Sequence, residues 1–424
     1  MTSSSETPAV KPPSEYTPRA WTVIFGASMA VFCSVGFINS YGVFQEYYLQ
    51  HQLAHESDST VAWLGGVSIF FIFISSVVSG SLLDMFGPRM ILCVGSVGTV
   101  FSIMMASLCH EFYQFLLAQA VSMGIWMSLL VTPCVALVGQ YIKIKRAAAL
   151  GIVISGSSLG GVIWPIIINE LLKNDSIGFG WTMRIVGFIM IPLLTIACVC
   201  CRSPPSPAGQ VPDKESSPTQ EPKQQPPRRP DFSILKSPAL RLTCLGFFVI
   251  YFGMFAPFFF TTSYAARQGF SEDLSFYTVS IINGASMFGR ILPGIIADKY
   301  GRYNCCIIFT FLSGVIALCW TKATSVAGLV IWCIAYGFTS GAILSLQQVC
   351  AVQIATPQTL GLAVGTIMAS ASFSAMASVP ISGELSGTYG YLALSIYSGV
   401  SLIVGSLLLL VARLAQSKKL LAVI

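Results

Sequence analysis

Gly80-Ser81-Leu82-Leu83-Asp84-Met85-Phe86-Gly87-Pro88-Arg89 and Gly294-Ile295-Ile296-Ala297-Asp298-Lys299-Tyr300-Gly301-Arg302 decide how this chain is read. In each, an aspartate follows the opening glycine by four residues and a second glycine follows the aspartate by three. Each begins as the end of an apolar helix, finishes as a tight charged hairpin, and lies between two long apolar runs. A membrane chain that makes the same short turn twice is expected to consist of two related helical bundles, as in many secondary transporters.

The composition around these hairpins agrees. Of 424 residues, 54% are hydrophobic and 9% charged, with a mean hydropathy of +0.75. A soluble domain carries about a quarter charged residues. So few charges do not cover a water-facing surface, which excludes the soluble-enzyme class. Apolar runs of about 20 residues, the bilayer-spanning length, recur along nearly the whole chain.

Twelve spans are read. The first six cover 20–45, 62–83, 91–109, 113–140, 147–171 and 181–201; the second six cover 239–264, 274–297, 304–321, 326–353, 359–384 and 389–412. The expected fold class is therefore an all-α membrane protein, twelve transmembrane helices in two six-helix bundles, 20–201 and 239–412. Between them lies 202–238, containing PPSPAGQVPDKESSPTQEPKQQPPRRP, whose composition buries no core and reads as a linker. Residues 1–19 and 413–424 read as tails. Of the 23 Lys and Arg, only Lys173, Arg184, Arg267 and Lys322 fall on proposed outside segments, and Arg290 lies within a span. The rest lie on proposed inside segments, which puts both termini and the linker in the cytoplasm. The net charge of +6 therefore argues for topology and not for nucleic-acid binding.

Thirteen Cys occur almost entirely in apolar runs, no CxxC is present, and His totals three, so no metal site or cofactor is expected. Cys198, Cys200 and Cys201 at a helix end read either as a palmitoylation site or as small apolar filling. Gly151, Gly156, Gly160 and Gly161 precede Pro165 in span 5, and Gly361 and Gly365 precede Pro380 in span 11. Small residues permit close helix approach in lipid and a late Pro permits a bend, which suits bundles that rock; ordinary tight packing is the plainer reading.

At these residues the chain resembles the major facilitator superfamily, and within it the fungal monocarboxylate-porter-like branch. GSLLDMFGPR and GIIADKYGR resemble the superfamily's signature loop between spans 2 and 3 and its echo between spans 8 and 9. The branch resemblance rests on AWTVIFGASMAVFCSVGFINSYGVFQEYY, QYIKIKRAAALGIVISGSSLGGVIWP and NGASMFGRILPGIIADKYGR. It implies a twelve-helix carrier with proton coupling, acting as a monomer. The chain also departs from the animal lactate carriers of the branch. Asn39 aligns with their span 1 Lys, and Ser286 stands where they have an Asp one turn before the span 8 Arg, here Arg290. The resemblance thus implies a retained anion-binding cation without the proton-handling pair.

Arg290 is the sharpest site candidate. An Arg at the bilayer centre costs about 2.5–3.5 kcal/mol on insertion scales, so it is expected to face a polar cavity and bind an oxyanion. The competing reading is that it snorkels or pairs with Asp298. Asn283, Ser286 and Arg290 share a helix face at spacings of three and four. Asn39, Gln347 and Gln348 are the polar residues of spans 1 and 10 that could join them, or that could merely bond helices together. Asp84, Arg89, Asp298 and Arg302 are read as gating residues. Lys143, Lys145 and Arg146 join that network or only set topology. Phe37, Tyr41, Phe44, Tyr251, Phe255 and Phe259 recur at helical spacing and either line a cavity or pack. Glu46, Glu170 and Glu384 sit near outer ends, where they either titrate or are simply solvated.

No nucleotide-binding loop and no HExxH occurs, so no catalytic residues are expected. The leading reading is a secondary active transporter of a small organic anion or amphipathic metabolite, working by alternating access in the cell membrane, with efflux of a fungal secondary metabolite in front. Proton-linked uptake of monocarboxylates or a vitamin is the alternative. A non-transporting nutrient receptor is weaker, because the tails are short, and a channel lacks its rings of acids.

Overall fold

The computed structural model describes residues 16–174, 176–203, 232–356 and 359–417. Most of the proposed tails and linker lies outside the described residues. Among the described residues all regular structure is helical. In chain order the helices are α1 (Pro18–Cys33, Val35–Ile38 and Tyr41–Gln50 in line), α2 (Asp58–Phe86), α3 (Pro88–Ala106) and α4 (Phe112–Tyr141). Then come α5 (Arg146–Leu172), α6 (Gly178–Cys200), α7 (Pro238–Met254 continued by Ala256–Arg267) and α8 (Glu272–Tyr300). The last four are α9 (Arg302–Leu318), α10 (Val326–Ile354), α11 (Leu360–Ser370 continued by Ser372–Glu384) and α12 (Gly390–Gln416).

The starts and stops are locally encoded. Ser57, Ser271 and Ser325 cap α2, α8 and α10 by accepting a hydrogen bond from the third helical N–H, at 3.1, 3.3 and 3.1 Å. The two hairpins quoted above have the same construction. Gly87 (φ 78°) ends α2 and Gly301 (φ 99°) ends α8, each with its N–H on the carbonyl four residues back, and the next helix begins at once. A side chain at either glycine would be strained in that left-handed conformation. Pro88 opens α3 with its fixed φ.

Helices α1, α5 and α6 pack together, as do α2, α3 and α4 with α6 closing against α3. In the second half, α7 packs on α12, α9 on α10 and α12, and α8 on α10. Two crossings join the halves most extensively: α2 against α11, and α5 against α8. Both depend on missing side chains. A Cβ on Gly80 or Gly361 would run into the other's backbone, and one on Gly365 would meet Ser76. On the second crossing, Gly151 meets the Arg290 carbonyl and Gly294 that of Ala147. Backbones in contact gain van der Waals energy where lipid supplies no hydrophobic drive.

The perimeter is apolar. Val97 is 72% exposed, and Phe101, Phe188, Ile308 and Leu407 are also exposed. A water-facing surface does not hold such side chains in a continuous band, whereas hydrocarbon does. Among the described residues, ten segments are long and apolar enough to cross a membrane, and α9 is a shorter apolar helix. The difference from the twelve expected spans has two sources. Helix α9 has 17 residues, and α11 runs into α12 through the π-turn Leu385–Tyr389 as one 57-residue segment, Leu360–Gln416. The end of α12 also lies beyond the expected boundary: Arg413, assigned above to a tail, is helical and buried, with Nε donating to Asn304 Oδ1 at 2.6 Å.

Candidate functional site

Between the halves lies a cavity of about 430 Å³. Its polar wall is made by Arg290 and Asn283 of α8, Asn39 of α1, Gln348 of α10 and Tyr251 of α7. Arg290 is 1% exposed and stands ten residues before the end of α8. At about 1.5 Å per residue that is roughly 15 Å from the hairpin, a mid-depth position. Its Nη1 donates to the Ile154 carbonyl at 2.8 Å and to the Ser157 hydroxyl, both on α5. Ser157 Oγ in turn donates to the Ile154 carbonyl at 3.0 Å, and the Ser157 carbonyl accepts from Asn39 Nδ2 at 3.2 Å. Ser157 thus ties α8 to α1 through α5. Sequence reasoning passed over it within GSSLGG, where it looks like one more small packing residue.

No carboxylate pairs with Arg290 among the described residues. The pairing with Asp298 considered above does not form, because that carboxylate is engaged elsewhere. The guanidinium is held by neutral acceptors only, so its charge is left to act on the cavity. In surroundings of low dielectric, that favours an anion there.

The other predicted residues divide. Asn283 lines the cavity, 1% exposed, with Nδ2 donating to the Val279 carbonyl at 3.1 Å. Ser286, which shares the Asn283–Arg290 spacing, is buried against α10, where a Cβ on Gly341 would lie 2.7 Å from its hydroxyl oxygen. Gln347 does not line the cavity; its Oε1 accepts from Tyr251 at 2.6 Å, so it orients a residue that does. Gln348 lines it directly. Of the aromatics, Tyr251, Phe255 and Phe259 line the cavity. Phe37 and Phe44 pack on each other and on Trp164 and Tyr48, and Tyr41 binds the Val61 carbonyl. Most of the aromatic wall comes from α7, and Phe73 of α2 adds to it from the first bundle, edge-on to Tyr251. Glu46, near the far end of α1, also lines the cavity.

The cavity runs from Arg290 toward the end remote from the hairpins, where Leu49, Ala62 and Ser263 line it. The hairpin end is held shut. Asp298 at the end of α8 accepts from the N–H groups of Ala147 at 3.0 Å and Ala148 at 2.9 Å. Asp84 at the end of α2 accepts from Leu362 N–H at 3.3 Å. Ala147, Ala148 and Leu362 lie in the first turns of α5 and α11, whose own N-cap residues make no side-chain cap. Each hairpin acid therefore caps a helix of the opposite half, where free N–H groups and the helix dipole favour a carboxylate. Arg302 lies 3.6 Å from Asp298 and donates to the carbonyls of Lys143 and Ile144 at 3.3 and 3.2 Å. Arg89 is exposed and makes no such contact with described residues.

A profile of the Major Facilitator Superfamily matches residues 23–321. The chain belongs to this superfamily. It is a multi-pass membrane transporter of small molecules and not an enzyme. The agnestins efflux protein AgnL12 of Paecilomyces divaricatus is 44% identical over 413 residues, covering 97% of this chain and 92% of that one. The aspyridones efflux protein apdF of Emericella nidulans is 38% identical over 418 residues, covering 96% and 81%. Among solved structures, the human organic anion transporter MFSD10 (TETRAN) superposes with a TM-score of 0.69 at 15% identity, covering 94% of this chain and 100% of that one. At that identity the likeness concerns the fold.

Proposed function

We propose that this transporter exports a fungal secondary metabolite, an amphipathic organic anion with an aromatic or apolar body, from the cytoplasm across the plasma membrane. The observation that carries the reading is Arg290: a buried cation with no carboxylate partner among the described residues, in a cavity walled by Tyr251, Phe255 and Phe259. The efflux proteins of similar sequence support the direction. The substrate's oxyanion binds Arg290 and its apolar body lies on the aromatic wall. Bundles 20–201 and 239–412 rock about this site by alternating access, with the hairpin latches closed when the far side is open.

Twelve crossings fit the mechanism. Gly390, at φ 79°, turns the end of α11 into the start of α12, and α9, though short, lies between two full-length apolar helices. The excess of Lys and Arg near the hairpins supports placing that end and both termini in the cytoplasm. The monocarboxylate-porter-like branch is supported by the sequence stretches quoted above. Asn39 and Ser286 argue against lactate as the cargo. Exchange for a proton, and action as a monomer, complete the proposal.

The test is accumulation of a panel of aromatic and aliphatic acids in inside-out vesicles from yeast expressing the chain, with the vesicle interior acid. Saturable uptake of an aromatic acid, abolished by a protonophore, is the expected result. Saturable lactate entry into intact cells, without aromatic accumulation in vesicles, would overturn it in favour of the uptake alternative.

A further inference from the structure

The cavity's polar wall offers more than a positive charge. Asn283 Nδ2 is fixed on the Val279 carbonyl, which can only accept, so the amide orientation is set by its surroundings. That leaves Asn283 Oδ1 as a buried acceptor with no hydrogen-bond partner among the described residues. Gln348 Oε1 and Arg290 Nε, on the same cavity, are also buried and unpartnered. Buried polar groups are nearly always satisfied, so an unsatisfied one calls for a partner, and at a cavity wall that partner can be a bound group. Here two acceptors and one donor belong to side chains that line a single cavity.

Their spacing gives the ligand a shape. Asn283 and Arg290 are seven residues apart on α8, two turns on one face, or about 10 Å between backbone positions. An Arg side chain spans part of that interval. We infer that the substrate carries, besides the oxyanion held by Arg290, a hydrogen-bond donor (a hydroxyl or N–H) on the far side of a rigid aromatic body, received by Asn283 Oδ1 and Gln348 Oε1. Gly161 of α5 makes room for this receptor. A Cβ there would lie 2.9 Å from Asn283 Oδ1 and 3.0 Å from Asn39 Nδ2. The inference rests on the proposed role of Arg290 and adds a second point of recognition to it.

Three probes of one size separate the two points: 6-hydroxy-2-naphthoate, 6-methoxy-2-naphthoate and 2-naphthoate. All carry the carboxylate, and only the first carries a donor at the opposite end. Binding is measured on the purified full chain by ligand fluorescence and thermal shift. The hydroxy acid should bind about tenfold or more tightly than the other two, since these leave the buried acceptors unpaired. Asn283→Leu should erase that preference, bringing the hydroxy acid to the level of the other two acids in the same variant. Equal binding of all three to the wild type, weakened throughout by Arg290→Ala, would overturn the donor requirement and leave the anion site standing. Binding of the three that is indifferent to Arg290→Ala would overturn both. The wild-type series needs no variant to fold.

Discussion

At the residue scale the site turns on which face of a helix a side chain takes, and this is where spacing alone ran out. Asn283 and Arg290 are two turns apart, so their shared exposure to the cavity was legible. Ser286 sits on the same nominal face, yet Gly341 lets α10 approach and bury it. Gln347 and Gln348 are adjacent and so point about 100° apart. Only the packing of α10 decides that Gln348 faces the cavity and Gln347 braces Tyr251. Arg290→Ala should reduce kcat/KM for an anionic substrate about a hundredfold, since a charge-assisted contact contributes about 1.5–3 kcal/mol. Arg290→Lys should recover little of it, because an ammonium cannot hold Ile154, Ser157 and an oxyanion with one planar fork. Initial rates across substrate concentrations check both. Gly161→Val should impair transport while leaving expression near normal, because the added atoms displace the Asn39 and Asn283 amides.

At the element scale the twin hairpins were visible from their glycines and aspartates. Their partners were not, because the capped helices begin roughly 150 and 280 residues away in sequence. Only the fold brings Asp298 to the start of α5 and Asp84 to the start of α11. An N-cap contributes about 0.5–2 kcal/mol. Asp84→Ala with Asp298→Ala should therefore shift the equilibrium toward opening of the hairpin end by about tenfold or more. Spin labels on the exposed positions Met85 and Tyr300, with the exposed Cys93 and Cys319 replaced by Ser, read this shift as growth of a longer-distance population. An unchanged distance distribution in the double variant would show that the caps do not hold that end closed. Asn at the same positions retains an acceptor and loses the charge, so it should give an intermediate shift.

At the scale of the whole molecule, hydropathy laid out most of the fold. The order of apolar segments and the repeated turn are both compositional. Two segments differ from that layout: α9 is short for a hydrocarbon core of about 30 Å, and α11 and α12 are joined by the helical turn Leu385–Tyr389 in place of an irregular loop. The direction in which the cavity opens could not be read at all, because it depends on which pair of crossings is closed. That is a difference between states of one sequence. Gly80 against Gly361 and Gly151 against α8 hold the hairpin-end crossings together here.

The central claim is that an anion crosses this protein by way of Arg290. Counterflow tests it most directly. Proteoliposomes holding the full chain are loaded with an unlabelled aromatic acid, and entry of the labelled acid is followed for the wild type and for Arg290→Ala, with folding of the variant verified by its melting temperature. The wild type should show a transient overshoot and the variant should lose it. An equal overshoot in both would contradict that claim and place the anion site elsewhere in the cavity.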